Sequence, residues 1–192
     1  RKLTKNVGIV VPLLTDPYFA EIARKLERHC IEAGYHPTLF SSHGDPAHET
    51  DVLNSLRAIR PAGVLLAPLG RASDHGALER FCADVPTLLF DSNVGELGLA
   101  FVGSDNIQFT AHITDYLCRT GEPPRFFEMK RPTNPNAHRR RQSYLDAMQA
   151  FGLEPHVISV GDNAALQDRD WKLLQRTGQT VYIQHTAERL YF

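Results

Sequence analysis

The sequence predicts an α/β fold of doubly wound, parallel-sheet type, and three observations carry that prediction. Short, almost wholly apolar runs recur along the chain, as expected of strands covered on both faces. Between them lie stretches whose apolar residues fall at helical spacing. Several strand candidates end at a proline or an aspartate, and twice an Asp-Pro pair then opens a helix. Right-handed crossovers between parallel strands restrict how such elements can wind.

The elements follow in order. Residues 7–11 form a buried strand that breaks at Pro12. Asp16 can accept from the free N–H groups of a first helical turn, and Pro17 suits the first helical position. Phe19, Ile22, Ala23, Leu26, Cys30 and Ala33 then lie on one stripe that stops at Gly34. Residues 37–41 are the second strand, and Asp45-Pro46 repeats the helix start. Its helix carries Val52, Leu53, Leu56 and Ile59. Residues 63–67 and 85–90 are the third and fourth strands, separated by a short helix with Leu78, Phe81 and Cys82.

A fifth strand spans 99–103, and Ser104-Asp105-Asn106 caps a helix bearing Ile107, Ala111, Thr114, Leu117 and Cys118. Residues 125–129 and 156–160 are further strands, flanking a helix through Tyr144, Ala147 and Met148. Residues 167–175 are expected to be helical and 180–184 a strand.

Composition bounds the function. A 192-residue chain with 42% apolar residues has enough material for a proper core. A formal net charge of −1 argues against this stretch itself gripping nucleic acid, which needs a basic face to displace counterions. A small molecule or another protein is the expected partner. Three widely spaced cysteines on apolar helix faces point to reduced core residues rather than a disulfide framework. No run approaches the roughly 18 apolar residues of a membrane span, and no apolar signal segment follows Arg1-Lys2. A cytoplasmic location is therefore expected.

Catalytic signatures are missing where this fold would show them. No G-x-G-x-x-G follows the first strand and no Walker-type G-K-[ST] occurs, so no cofactor is expected. No G-x-S-x-G elbow occurs. The nine histidines never stand at zinc-ligand spacing and no cysteine pair does, so no metal site is expected. What remains is polar and aromatic residues at strand ends: Asp16, Tyr18 and Phe19; residues 41–45; Asp91-Ser92-Asn93; and the arginines at 139–141. Carboxylates and guanidinium groups hydrogen-bond hydroxyls, and aromatic rings cover apolar sugar faces, so the set suits a polyol. Each member also has a plainer reading. Tyr18 and Phe19 can pack the first turn, Asp91 can cap a turn, and the arginines can form a solvated helix start.

Taken together, Val7-Gly-Ile-Val-Val-Pro12 with Thr15-Asp-Pro-Tyr-Phe19, Gly34-Tyr35, Pro61-Ala-Gly-Val-Leu-Leu-Ala-Pro68, Val85-Pro-Thr-Leu-Leu-Phe-Asp91, Val102-Gly-Ser-Asp-Asn106 and Arg140-Arg-Gln-Ser-Tyr144 resemble the effector-binding core of the lactose/galactose-repressor family of bacterial regulators. The resemblance implies two doubly wound lobes of periplasmic-binding-protein type, residues 1–104 and 105–192, with the second lobe incomplete.

It also implies a non-enzymatic regulator, a homodimer that binds a small sugar or sugar phosphate in the cleft between lobes. Operator DNA would be reached through a helix-turn-helix headpiece that the sequence does not contain. Carried over by position, Asp16, Tyr18, Phe19, Asp91 and Arg140 are the expected effector contacts. Asp16 replaces the family's usual Asn, and Ser92 stands where many relatives have Arg. A periplasmic sugar-binding protein is the alternative, and a small α/β enzyme using Asp16, Asp91 or a histidine as acid or base is a third.

Overall fold

The structure of the chain, a computed structural model, describes residues 4–121, 123–129, 135–160 and 181–183. The helix expected over 167–175 lies outside the described residues. The chain divides into two compact units, Arg1–Ser104 and Asp105–Phe192.

In the first unit the elements are β1 (Asn6–Val11), α1 (Pro17–Glu32), β2 (His36–Ser41), α2 (Pro46–Ile59), β3 (Gly63–Leu66), α3 (His75–Asp84), β4 (Thr87–Phe90) and β5 (Ala100–Val102). All pairings are parallel and the order is β2-β1-β3-β4-β5. The winding therefore reverses between β1 and β3. In open α/β sheets of this order, ligands bind outside the carboxyl ends of the strands at that reversal.

Alternate residues of a strand face opposite sides of the sheet. Val10, Leu66 and Leu89 pack with Val52, Leu53 and Leu56 of α2 and with Leu78 and Phe81 of α3. Val11, Ala67 and Phe90 pack with Phe19 and Ala23 of α1. Burial on both faces is why β1 reads as an uninterrupted apolar run. Gly8 marks the tightest approach, because a Cβ there would stand 2.8 Å from Leu56 Cδ2 and 3.2 Å from Val64 Cγ2.

Aspartates start the helices. Asp16 Oδ1 accepts from Tyr18 N–H at 2.9 Å, Asp45 Oδ1 from Ala47 N–H at 2.9 Å and Asp74 Oδ1 from Ala77 N–H at 3.0 Å. Each such cap contributes about 1 kcal/mol. The third was not evident in the sequence, where no proline follows Asp74. Strand β4 begins later than expected, since the Val85 N–H is spent on Phe81 O at the end of α3 and Pro86 has none. Ile59, expected on the buried stripe of α2, is half exposed near the helix end.

The second unit comprises α4 (Asn106–Thr120), β6 (Arg125–Met129), α5 (Pro135–Ala150), β7 (His156–Val160) and β8 (Val181–Ile183), with a parallel sheet ordered β7-β6-β8. Asp105 Oδ1 caps α4 through Gln108 N–H at 2.9 Å. That helix buries Asn106, Thr110 and Thr114, whereas Ile107, expected in the core, is exposed. Thr114 is buried as expected, and the buried face extends to Asn106 and Thr110 rather than to Ile107. Tyr144 is fully buried and stacks on Phe126 at 5.1 Å. Its hydroxyl donates to Pro124 O at 2.8 Å and accepts from His156 N–H at 3.0 Å, tying α5 to the entries of β6 and β7. All three cysteines are free and partly buried.

Candidate functional site

Strands β1 to β4 deliver four loops to one edge of the first sheet. Two bonds join the first pair: Ser41 Oγ donates to Pro12 O at 3.1 Å, and Gly44 N–H reaches the same oxygen at 3.2 Å. After β3, the loop is held from beneath by Glu49 of α2, whose Oε1 accepts from Leu69 N–H at 2.9 Å. After β4, Asp91 N–H donates to Val102 O at 3.0 Å, anchoring the residue to β5.

Asp91 adopts φ +62°, in the left-handed region where only short polar side chains and glycine are at ease. Strain of this kind concentrates at functional sites, so the outlier draws attention to this loop. Tyr18 Oη donates to Asp91 Oδ1 at 3.1 Å, and Ser92 Oγ lies 3.5 Å from Oδ2. The Tyr18 ring is 44% exposed and stands edge-on to Phe19 at 5.1 Å. A carboxylate, a phenol and an accessible ring face thus come from two segments far apart in the chain.

The other expected contacts fare differently. Phe19 is 7% exposed and packs with Ala23, Ala67 and Phe90, so it belongs to the core and does not project at the mouth of the sheet. Asp16 is equally buried, with Oδ1 spent on the helix cap. Asp16 thus accepts from the Tyr18 N–H, and Phe19 stands edge-on to the Tyr18 ring. In the second unit, the half-buried Arg140 donates from Nε to Asn106 Oδ1 at 2.7 Å. Its neighbours diverge: Arg139 is exposed and Arg141 pairs with Glu128 at 3.1 Å.

Two features of this edge go beyond the sequence reading, which named residues 41–45 only as a stretch and did not name Glu49. His43, itself at φ +53°, stacks on His48 with ring centroids 5.0 Å apart. Glu49 was missed although it shares the buried stripe of Val52, Leu53 and Leu56, three, four and seven residues on. Burial pushes its carboxyl pKa up, partly offset by the Ser73 hydroxyl and Leu69 N–H. For an acid whose pKa is higher folded than unfolded, stability is greatest below the unfolded value and declines as pH rises through the folded one. Stability measured upward from about pH 4.5 should therefore decline more steeply in the native protein than in Glu49→Gln. The glutamine keeps the Leu69 bond without a buried charge, and parallel pH profiles in thermal melts would refute this role.

Among the described residues no cluster of three or more His, Cys, Asp or Glu could hold a metal ion, and no helix is long and apolar enough to cross a membrane. A groove of about 530 Å³ opens at the opposite, amino-terminal edge of the sheet, lined largely by apolar groups including Leu26, Val64, Leu65 and Leu88. Its lining includes Tyr35 and His29 but no carboxylate.

Comparison with known proteins adds to this geometry. Residues 7–178 match the model of the periplasmic binding protein domain family. The HTH-type transcriptional regulator PtxS of Pseudomonas plecoglossicida is 27% identical over 168 residues, covering 85% of this chain and 48% of that regulator. The HTH-type regulator KdgR of Bacillus subtilis is 28% identical, covering 86% of this chain and 50% of its own. The chain thus spans about half the length of these relatives.

A periplasmic binding protein/LacI transcriptional regulator from Alkaliphilus metalliredigens, complexed with D-xylulofuranose, superposes with a TM-score of 0.73 at 20% identity, covering 94% of this chain and 77% of its own. At that identity the likeness speaks for the fold. The chain belongs to the periplasmic binding protein domain family, and its curated relatives within that family are regulators of the lactose/galactose-repressor type.

Proposed function

We propose that this chain is the effector-sensing part of a bacterial transcriptional regulator, binding a small sugar or sugar phosphate at the carboxyl edge of its first sheet. The observation that carries the reading is the Asp91 carboxylate, held in a left-handed turn beside the accessible ring of Tyr18 at the edge where the sheet's winding reverses. A carboxylate accepts from sugar hydroxyls and the ring covers an apolar sugar face. Asp16 caps the helix whose first turn carries Tyr18, and Phe19 anchors that turn in the core; both remain proposed contacts by position. Arg140 is a further proposed contact from the second unit, resting on the resemblance.

Regulators among the relatives favour sensing over catalysis or transport. The sugar held by the Alkaliphilus neighbour supports the ligand class. In this reading the protein acts in the cytoplasm as a homodimer and reaches operator DNA through a separate headpiece. Calorimetry of the full chain against pentoses, hexoses and their phosphates tests the proposal, and saturable binding of at least one is expected. No binding across that panel would end it.

A further inference from the structure

The winding of the first sheet reverses between β1 and β3, so the loops that leave these two strands flank the crevice where sheets of this kind bind ligands. The loop after β3 is tethered by one side chain. Glu49 is 1% exposed, and its Oε1 accepts from Leu69 N–H at 2.9 Å. Gly70 then takes φ +69°, and its carbonyl accepts from Ser73 N–H at 3.2 Å. That turn brings the buried Ser73 hydroxyl to the Glu49 carboxyl. A hydroxyl can donate to a carboxylate or accept from an acid, so Ser73 serves Glu49 in either charge state. Leu69 N–H needs only a lone pair on Oε1, which both states keep.

Burial acts on this carboxyl more strongly than its hydrogen bonds do. It drives the pKa up, and the Ser73 hydroxyl and Leu69 N–H pull it down by less, with no charged neighbour among the influences. The titratable groups on the surrounding segments, His43, Asp45, His48, Arg71, Asp74 and His75, are exposed or half-buried. The charge state of Glu49 therefore answers chiefly to solvation of the loop above it. A ligand in the crevice displaces water from that loop, and desolvation disfavours the charged form.

We propose that Glu49 takes up a proton when a sugar fills the crevice, so that the side chain holding the β3 loop also ties effector binding to pH. The inference rests on the proposed function and adds a regulatory input to it. The proton comes from solvent and sits on Oε2, because Oε1 is spent on Leu69. Linkage is reciprocal, so protonation favours the sugar by the factor with which the sugar favours protonation. Binding is then strongest below the titration midpoint of the free protein and weakens as pH rises through the midpoint of the complex. Were a tighter Leu69 bond the larger consequence of binding, the carboxylate would be favoured and the sign would reverse.

Carbon-13 NMR of the Glu49 carboxyl, assigned through bonds from its own backbone, follows this titration in the full chain with and without saturating D-xylulose, D-fructose or D-glucose. The free protein should titrate above the ordinary 4.5, and a sugar that binds should move the midpoint higher. Calorimetry of that sugar in buffers of different ionisation enthalpy should show proton uptake between the two midpoints and none in Glu49→Gln. Affinity should fall by about fivefold across them, the low end of ordinary coupling between sites. A midpoint that the sugar leaves in place or lowers, or uptake that persists at native size in Glu49→Gln, would overturn the inference and leave sugar sensing intact. If Glu49→Gln does not fold, the two native midpoints decide alone. Failure of all three sugars to bind would overturn the inference together with the proposed function.

Discussion

Asp91→Ala is expected to weaken sugar binding by roughly thirtyfold or more, because hydrogen bonds to a charged group contribute about 1.5–3 kcal/mol each. The backbone supplies an internal control. At φ +62° any Cβ is crowded, at a cost of about 1–2 kcal/mol that the short polar side chain of aspartate offsets by local hydrogen bonding and alanine does not, whereas glycine adopts this conformation freely. Asp91→Ala should therefore lower the melting temperature as well as the affinity. Asp91→Gly should lose affinity to the same degree with its melting temperature unchanged or raised. Calorimetry and thermal melts on both variants separate the two effects. If the glycine variant bound sugar like the native protein, the carboxylate would have no part in recognition.

The largest effect on stability is expected from Leu56→Ala. Leu56 is fully buried at the centre of the α2–sheet contact, and removal of a core leucine costs about 2–5 kcal/mol. Against a domain stability of about 5–15 kcal/mol, that is a large share. The same site shows why residue 8 is glycine. Gly8→Ala would drive a methyl group to within 2.8 Å of Leu56 Cδ2, an overpacking cost of about 1–3 kcal/mol. The two changes should not add, since shortening Leu56 vacates the space that the new methyl group needs. Urea unfolding of both single variants and the double variant should give a coupling of about 0.5 kcal/mol or more, and strict additivity would argue against the packing described.

Much of the fold was legible because the signals are local. Asp16-Pro17 and Asp45-Pro46 mark two helix starts that the structure reproduces, and the apolar runs at 7–11 and 63–67 coincide with central strands. Where the reading failed, a non-local choice decided. The apolar stripe of α4 pointed to Ile107 as well as Thr114, yet Ile107 is exposed while Asn106 and Thr110 are buried beside Thr114, and Ser143 Oγ of α5 donates to Ile107 O at 2.7 Å. Neither helix alone reveals which face its neighbour will meet.

The candidate site was legible only in part for the same reason. Asp91 and Tyr18 were visible as polar and aromatic residues at strand ends, but their hydrogen bond joins positions 73 residues apart. The adjacent rings Tyr18 and Phe19 could not be ranked from sequence. Helical geometry turns one toward solvent and the other into the core, at 44% and 7% exposure. Glu49 lay hidden because a charged residue on an apolar stripe is read as an interruption, whereas here it supplies the acceptor that a loop N–H requires.

Everything proposed for function depends on a sugar binding at the carboxyl edge of the first sheet and not in the apolar groove at its amino edge. Backbone amide chemical shifts of the full chain, followed by NMR as the bound sugar is titrated in, distinguish the two locations residue by residue. The largest changes are expected at Tyr18, Asp91 and Ser92. Changes centred instead on Leu26, Val64 and Leu88 would put the ligand in the groove and refute the proposed site.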